Sequence, residues 1–263
     1  MLHLLRQHHY LFWQFTKRTI AQRHKGSVLG MLWMALQPLL MMAVYVVMFG
    51  VIFNARYHGV SHQGPLDYAL GVFLSITIFQ VVADAITTAP AAITSQPNLV
   101  KKVVFPLEIL PLAGLASSFF QFFVSMLLVL AGIAFFGGGL TPHSLWVLVV
   151  LVPLAPLLVG LSLILAALGV FLRDMQHVSG PASLIVMYAS GVFYSPEMVP
   201  HSIWHFLRFN PLVHIIDQAR QVLLWHQPIH WTGLLYSLTL GLLLTLFGGW
   251  LFKKLKPAFA DVL

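Results

Sequence analysis

The chain has 263 residues, of which 59% are hydrophobic and only 8% are Asp, Glu, Lys or Arg, against roughly 25% charged in a soluble domain. With a mean hydropathy of +0.87, there is too little polar surface to cover a core of this size in water, so an ordinary water-soluble enzyme is excluded. There is no cysteine, which excludes disulfides, thiolate metal sites and Cys nucleophiles, and the net charge of +7 reads as a topology signal rather than as nucleic-acid affinity.

In chain order, residues 1–23 place Leu4, Leu5, Leu11, Phe12 and Phe15 on one stripe, with Arg6, Gln7, Gln14, Lys17, Arg18 and Arg23 mostly elsewhere. That pattern predicts an amphipathic interfacial helix, not a secretory signal. The gaps between charges then outline spans at 28–53, 68–93, 109–136, 145–172, 178–194 and 231–252. The first gap, for example, would run roughly 39 Å as a helix, enough to cross with some tilt. Spans three and four are separated by the turn signal from Gly137 to Ser144. Between spans five and six, residues 195–228 mix apolar and polar groups with prolines at 196, 200, 211 and 228, predicting two short broken helices. The fold expected is therefore an all-α integral membrane protein, a single transmembrane domain over 1–263 with six transmembrane helices.

An even number of spans puts both termini on one side. With that side cytoplasmic, eleven basic residues lie inside and three, Arg56, Arg208 and Arg220, lie outside. The 195–228 segment then faces the outer side, and the loop around Lys101 faces the cytoplasm.

The sequence holds no G-x-x-x-x-G-K-[ST] phosphate loop, no H-E-x-x-H helix and no G-x-S-x-G elbow. Glu197, His201 and His205 have i, i+4, i+8 spacing that would align them on one helix face, but Pro200 interrupts it and exposed polar residues are the plainer reading. Asp84 is the one carboxylate well inside a predicted span. It is either functional or turned into the bundle with hydrogen bonds from Thr87 or Thr88, in a protonated state. The rings Phe119, Phe120, Phe122 and Phe123, with Phe73, Phe79, Tyr188, Phe193 and Tyr194, offer faces for sugar stacking, or else pack helices and lipid.

The run Gln22-Arg23-His24-Lys25-Gly26-Ser27-Val28-Leu29-Gly30-Met31-Leu32-Trp33, followed by Gln37-Pro38, resembles the entry to the first span of type-two ABC exporter permeases. Asn98 to Pro106, Phe171-Leu172-Arg173-Asp174, and Asn210-Pro211-Leu212 with Arg220 downstream resemble the same family in the same order. The match covers essentially the whole chain and is closest to the O-antigen permeases. The resemblance implies an ATPase-coupling surface at Asn98, Leu99, Lys101, Lys102, Phe105 and Pro106, with Arg173 and Asp174 at a second cytoplasmic turn. It implies a re-entrant outer gate involving Pro200, Asn210, Pro211 and Arg220, and the sugar-stacking reading of the rings makes Phe119, Phe122, Phe123, Tyr188 and Phe193 candidate pathway aromatics.

The implied function is ATP-driven export of a lipid-linked polysaccharide across the cytoplasmic membrane. Such a chain would have no catalytic site or cofactor of its own, ATP and Mg being held by two separate ATPase subunits, and no nucleic-acid partner. Six helices leave little room for a wide polar path, so a homodimer with a central seam is expected. Alternatives are a permease for capsular polysaccharide, teichoic acid, a drug or a lipid, and an intramembrane enzyme acting on lipid-linked sugars.

Overall fold

The computed structural model describes residues 8–23, 25–53, 65–101 and 105–263. Lys102 and the polar loop around Arg56 lie outside the described residues. Every regular element among these residues is helical. They are α1 (His9–Arg23), α2 (Trp33–Tyr45), α3 (Pro65–Thr88), α4 (Pro97–Lys101), α5 (Ile109–Phe136), α6 (Val147–Leu151), α7 (Leu154–Phe171), α8 (Met175–Ala189), α9 (His201–Leu207), α10 (Pro211–Leu223), α11 (Trp231–Leu255) and α12 (Phe259–Val262).

Five stretches are long and apolar enough to cross a membrane: Gly30–Ile52, Leu66–Ala91, Ile109–Phe136, Pro142–Phe171 and Trp231–Val262. The fifth expected span, 178–194, falls short of that length. Its helix, α8, ends at Ala189, because the chain turns at Gly191, whose φ of 69° no side chain adopts readily. The first stretch is not uniform either: a 3-10 turn at Gly30–Leu32 leads into α2, and π-helical turns follow at Val46–Ile52. Between α5 and α6, Thr141 and Ser144 form a reciprocal capping box that restarts the chain after the glycine turn. Val152 and Pro153 separate α6 from α7, since proline supplies no N–H to continue the ladder.

The core forms where the apolar faces of α3, α5, α7 and α10 meet, with Phe73, Leu74 and Ile78 of α3 against Met126, Val129, Leu158, Ile216 and Val222. The tightest pair is α7 with α11. A Cβ on Gly160 would collide with the backbone of Leu244, and one on Gly248 would sit 2.6 Å from the Gly160 carbonyl oxygen. Small residues let two backbones touch in an environment where burial from water supplies no driving force between helices. Thr245 Oγ1 donates to the Pro156 carbonyl at 2.6 Å, adding a polar clasp to the same contact.

Helix α1 lies against α5, with Leu11, Phe12 and Phe15 of the expected stripe half-buried beside its two buried residues. Thr16 and Ile20 are its buried residues, and Thr16 is tolerated there because its hydroxyl donates to the Phe12 carbonyl at 2.8 Å. Leu4 and Leu5 lie outside the described residues.

Candidate coupling surface, outer hinge and polar cleft

The segment expected to couple begins with Pro97 in the first turn of α4. Asn98 and Lys101 are exposed, whereas Leu99, Val100 and Phe105 pack on a second apolar cluster built by Ile93, Leu107, Leu110, Leu163, Phe252 and Phe259. The Pro106 carbonyl accepts from the Ile109 N–H at 3.0 Å, starting α5. Phe105 meets the ring of Phe15 at 5.2 Å, so α1 touches this segment directly. On its other side, Lys256 Nζ donates to both Glu108 oxygens at 3.0 and 3.1 Å, tying the head of α5 to the end of α11. A cavity of about 430 Å³ lies between Leu99, Val100, Phe105 and the Lys253–Ala260 stretch. The polar and basic side chains thus face outward on an apolar footing.

Arg173 and Asp174 are exposed at the turn into α8. The Asp174 carbonyl accepts from the His177 and Val178 N–H groups. Gln176 Nε2 donates to Thr94 Oγ1 at 3.3 Å, placing this turn beside the Ala89–Ser95 bend that leads into α4. Arg173, Gln176 and His177 share a cavity of about 520 Å³ with Thr94 and Ser95.

In the segment expected to form the outer gate, Asn210 starts α10 instead of merely ending α9. Its Oδ1 accepts from the Leu212 N–H at 3.0 Å, and its Nδ2 donates to the Ala189 carbonyl at 2.9 Å and to Ser190 Oγ at 3.1 Å. Pro211 occupies the first helical turn, where no N–H is required. Asn210 therefore pins the end of α8 to the start of α10. The Glu197, His201, His205 alignment is not formed, because Val199 and Pro200 are extended and Pro200 (ψ 142°) precedes α9, leaving Glu197 in a separate turn. Among the described residues no group of three or more His, Asp or Glu is placed to hold a metal.

Arg220 is 0% exposed. Its Nη2 donates to the Tyr194 carbonyl at 3.0 Å and lies 3.7 Å from Asp217 Oδ1. Asp217 also accepts from Gln221 Nε2, Gln221 accepts from Gln218 Nε2, and Gln218 accepts from the His230 N–H, each at 2.8 Å. This chain of bonds stitches α10 to the strap before α11. Burial pushes the Asp217 carboxyl up, and the Arg220 guanidinium opposes that only in part. Asp217, Gln218 and Gln221 were not among the expected site residues. The signal was present in the sequence, since Asp, two Gln and Arg within five positions of an otherwise apolar helix must be satisfied by one another.

The aromatic candidates separate by environment. Phe122 is 4% exposed and belongs to the core, whereas Phe123 at 59% and Tyr188 at 63% are exposed. Phe119 is half-buried and meets Phe122 edge-on at 6.3 Å. Phe193 meets Tyr188 at 5.8 Å and Phe49 at 6.4 Å in tilted ring contacts, and its carbonyl accepts from the Tyr68 hydroxyl at 2.8 Å. Phe122 and Phe193 hold helices together in this geometry.

Thr87 and Thr88 both bond to Asp84, at 3.4 and 2.7 Å, but at its main-chain carbonyl and not at its carboxylate. Thr87 also donates to the Ala83 carbonyl, while the Asp84 carboxylate receives Arg23 Nη1 at 2.8 Å and Gln80 Nε2 at 3.0 Å. The other Arg23 nitrogen donates to Ser118 Oγ at 2.7 Å. Arg23 thus joins α1 to α3 and α5. Nearby, Gln121 Nε2 donates to the Met34 carbonyl at 2.7 Å. That carbonyl is free because residue 38, its partner one turn on, is a proline without an N–H. Arg23, Gln37, Thr77, Gln80, Asp84 and Gln121 line one cavity of about 280 Å³ with Phe73 and Met41.

Long apolar helices, an exposed basic segment on an apolar footing and a pinned pair of short helices describe an integral membrane protein. Residues 10–224 match the family model of the ABC-2 type transporter, and the chain belongs to that family. It is 24% identical over 251 residues to an O-antigen export system permease protein of Klebsiella pneumoniae, covering 94% of this chain and 93% of the relative. A protein of the same name from Myxococcus xanthus is 28% identical over 234 residues, 86% of each chain. The polysialic acid transport protein of Escherichia coli is 25% identical over 212 residues, 79% of this chain and 78% of the relative.

Proposed function

We propose that this chain is the membrane-spanning subunit of an ATP-driven exporter carrying a lipid-linked polysaccharide of the O-antigen type across the cytoplasmic membrane. The observation that carries this reading is the near full-length similarity to O-antigen export permeases. Capsule export is the second reading, supported by the similarity to a polysialic acid transport protein. Since the sequence has no phosphate loop, the energy comes from separate ATPase subunits, two for a homodimer of this chain, with ATP and Mg bound there and no cofactor or catalytic group in this chain. Both termini are cytoplasmic in the inner membrane, and α8 with the turn after it completes a sixth crossing: 15 residues span about 22 Å as helix.

In this reading Asn98, Leu99, Lys101, Lys102, Phe105 and Pro106 carry the ATPase contact, with Arg173 and Asp174 beside them. Residues 195–228 form the re-entrant gate on the outer side, hinged at Pro200, Asn210 and Pro211 and held by Arg220. Closure of the ATPases moves α4, and the contacts of Phe105 with Phe15 and of Gln176 with Thr94 pass that movement to α1 and α8. Purification in mild detergent tests the reading: an ABC ATPase co-purifies in equal amount with the wild-type chain. Recovery of the chain free of any ATPase, from cells that export glycan, would overturn it.

A further inference from the structure

The cavity between α1, α2, α3 and α5 holds polar groups that no part of the coupling or gating machinery uses. Gln37, Thr77, Gln80, Gln121 and Ser125 come from three helices that are otherwise apolar, yet they line one space of about 280 Å³. Polar side chains inside spans are expensive and mark pathways or ligand sites. Gln121 is accounted for by the Met34 carbonyl and Gln80 by Asp84, but each uses only part of its amide. The side chains of Gln37 and Thr77 hydrogen-bond to none of the described residues. Gln37, Gln80 and Met41 are exposed at the rim, so the space is open to an occupant.

Its charge selects the ligand. The one basic lining residue, Arg23, is committed to Asp84 at 2.8 Å and to Ser118 at 2.7 Å. With one cation and one carboxylate among its lining residues, the cleft is formally neutral and offers an anion no free positive partner. What remains is amide and hydroxyl groups, which both donate and accept, over an apolar floor of Phe73 and Ile76. Sugar hydroxyls also both donate and accept, and a pyranose ring has an apolar face. The volume is near the lower end of small-ligand sites, about 300–1,000 Å³, so it fits a short stretch of chain. Gln121 is twelve residues into α5, about 18 Å along that helix from its start near the Lys101 end.

Resting on the export reading, we propose that this cleft binds neutral sugar hydroxyls in the cytoplasmic half of the path, as a polar counterpart to the exposed aromatics. Because every contact is a neutral hydrogen bond, a passing polymer is held without being trapped.

The test uses the complex in its own cells. Gln37→Leu with Thr77→Val removes groups that hold no other part of the fold, and surface glycan is expected to fall about tenfold at unchanged chain level and ATPase association. Independently, Met41→Cys in the otherwise cysteine-free chain reports occupancy by maleimide labelling, with Leu246→Cys on the exposed face of α11 as control. With a hydrolysis-deficient ATPase to stall export, labelling at 41 is expected to slow severalfold when the full lipid-linked glycan is made, and not at 246. Equal slowing in cells that make only the lipid diphosphate with its first sugar would show a phosphate site and overturn the proposal. So would wild-type export by the double variant together with unprotected Met41→Cys. If deleting the chain leaves surface glycan unchanged, the export reading itself falls, an outcome separate from failure of the cleft alone.

Discussion

Arg23 and Asp84 lie 61 positions apart, and their pairing shows what one residue controls here. Asp84 is expensive inside an apolar helix unless it is matched, and Arg23 matches it from the end of α1, which fixes α1 against α3. Arg23→Ala is expected to cost about 1–3 kcal/mol of stability, and the double variant with Asp84→Ala should recover part of that loss. Thermal unfolding of the detergent-purified protein measures the cycle, and additive losses would show that the pair is not coupled. Phe122→Leu and Phe123→Leu should likewise diverge. The buried ring loses packing and lowers the melting temperature, whereas the exposed ring leaves it unchanged and reads on export alone. Asp217 adds a pH dependence. Burial raises its carboxyl above the ordinary 3.8, so the fold favours the protonated form. Its contribution is fully present below 3.8 and is lost as the pH rises through the raised folded value. Asp217→Asn should flatten that part of the stability curve in pH-dependent melting, and an unchanged slope would contradict the account.

At the scale of elements, the apolar runs of the sequence were enough to place the helices α3, α5 and α11, because an apolar stretch of that length with almost no charge has few other structures open to it. Breaks inside the runs were less visible. Pro153 marks the interruption between α6 and α7, but nothing local announces the π-helical turns at Val46–Ile52, and α8 ends early through a glycine conformation that hydropathy does not register. The resemblance drew attention to the segment that holds α4 and to the Asn210-Pro211 junction, where the structure has a short helix and a helix cap. The pairs Arg23 with Asp84, Gln121 with the Met34 carbonyl and Lys256 with Glu108 depend on tertiary contact between distant segments and were not legible. The element-scale prediction concerns α4. Replacing Lys101 and Lys102 together with Glu should abolish ATPase association while the helices still insert, since the charges lie off the apolar segments that direct insertion. Normal co-purification and export by that variant would remove this loop from the coupling role.

For the whole molecule, the close approach of Gly160 and Gly248 sets α7 and α11 as one rigid pair, while α1, α4 and the start of α8 gather at the end where the basic residues concentrate. The proposed export cycle uses that division, with one end to receive force and a stiff body to carry it to the α9–α10 segment. The most direct measurement follows the glycan itself in cells depleted of this chain. The account predicts that lipid-linked polysaccharide accumulates at the cytoplasmic face, disappears from the surface, and returns when the wild-type chain is resupplied. Undiminished surface polysaccharide after depletion, with no internal accumulation, would contradict it.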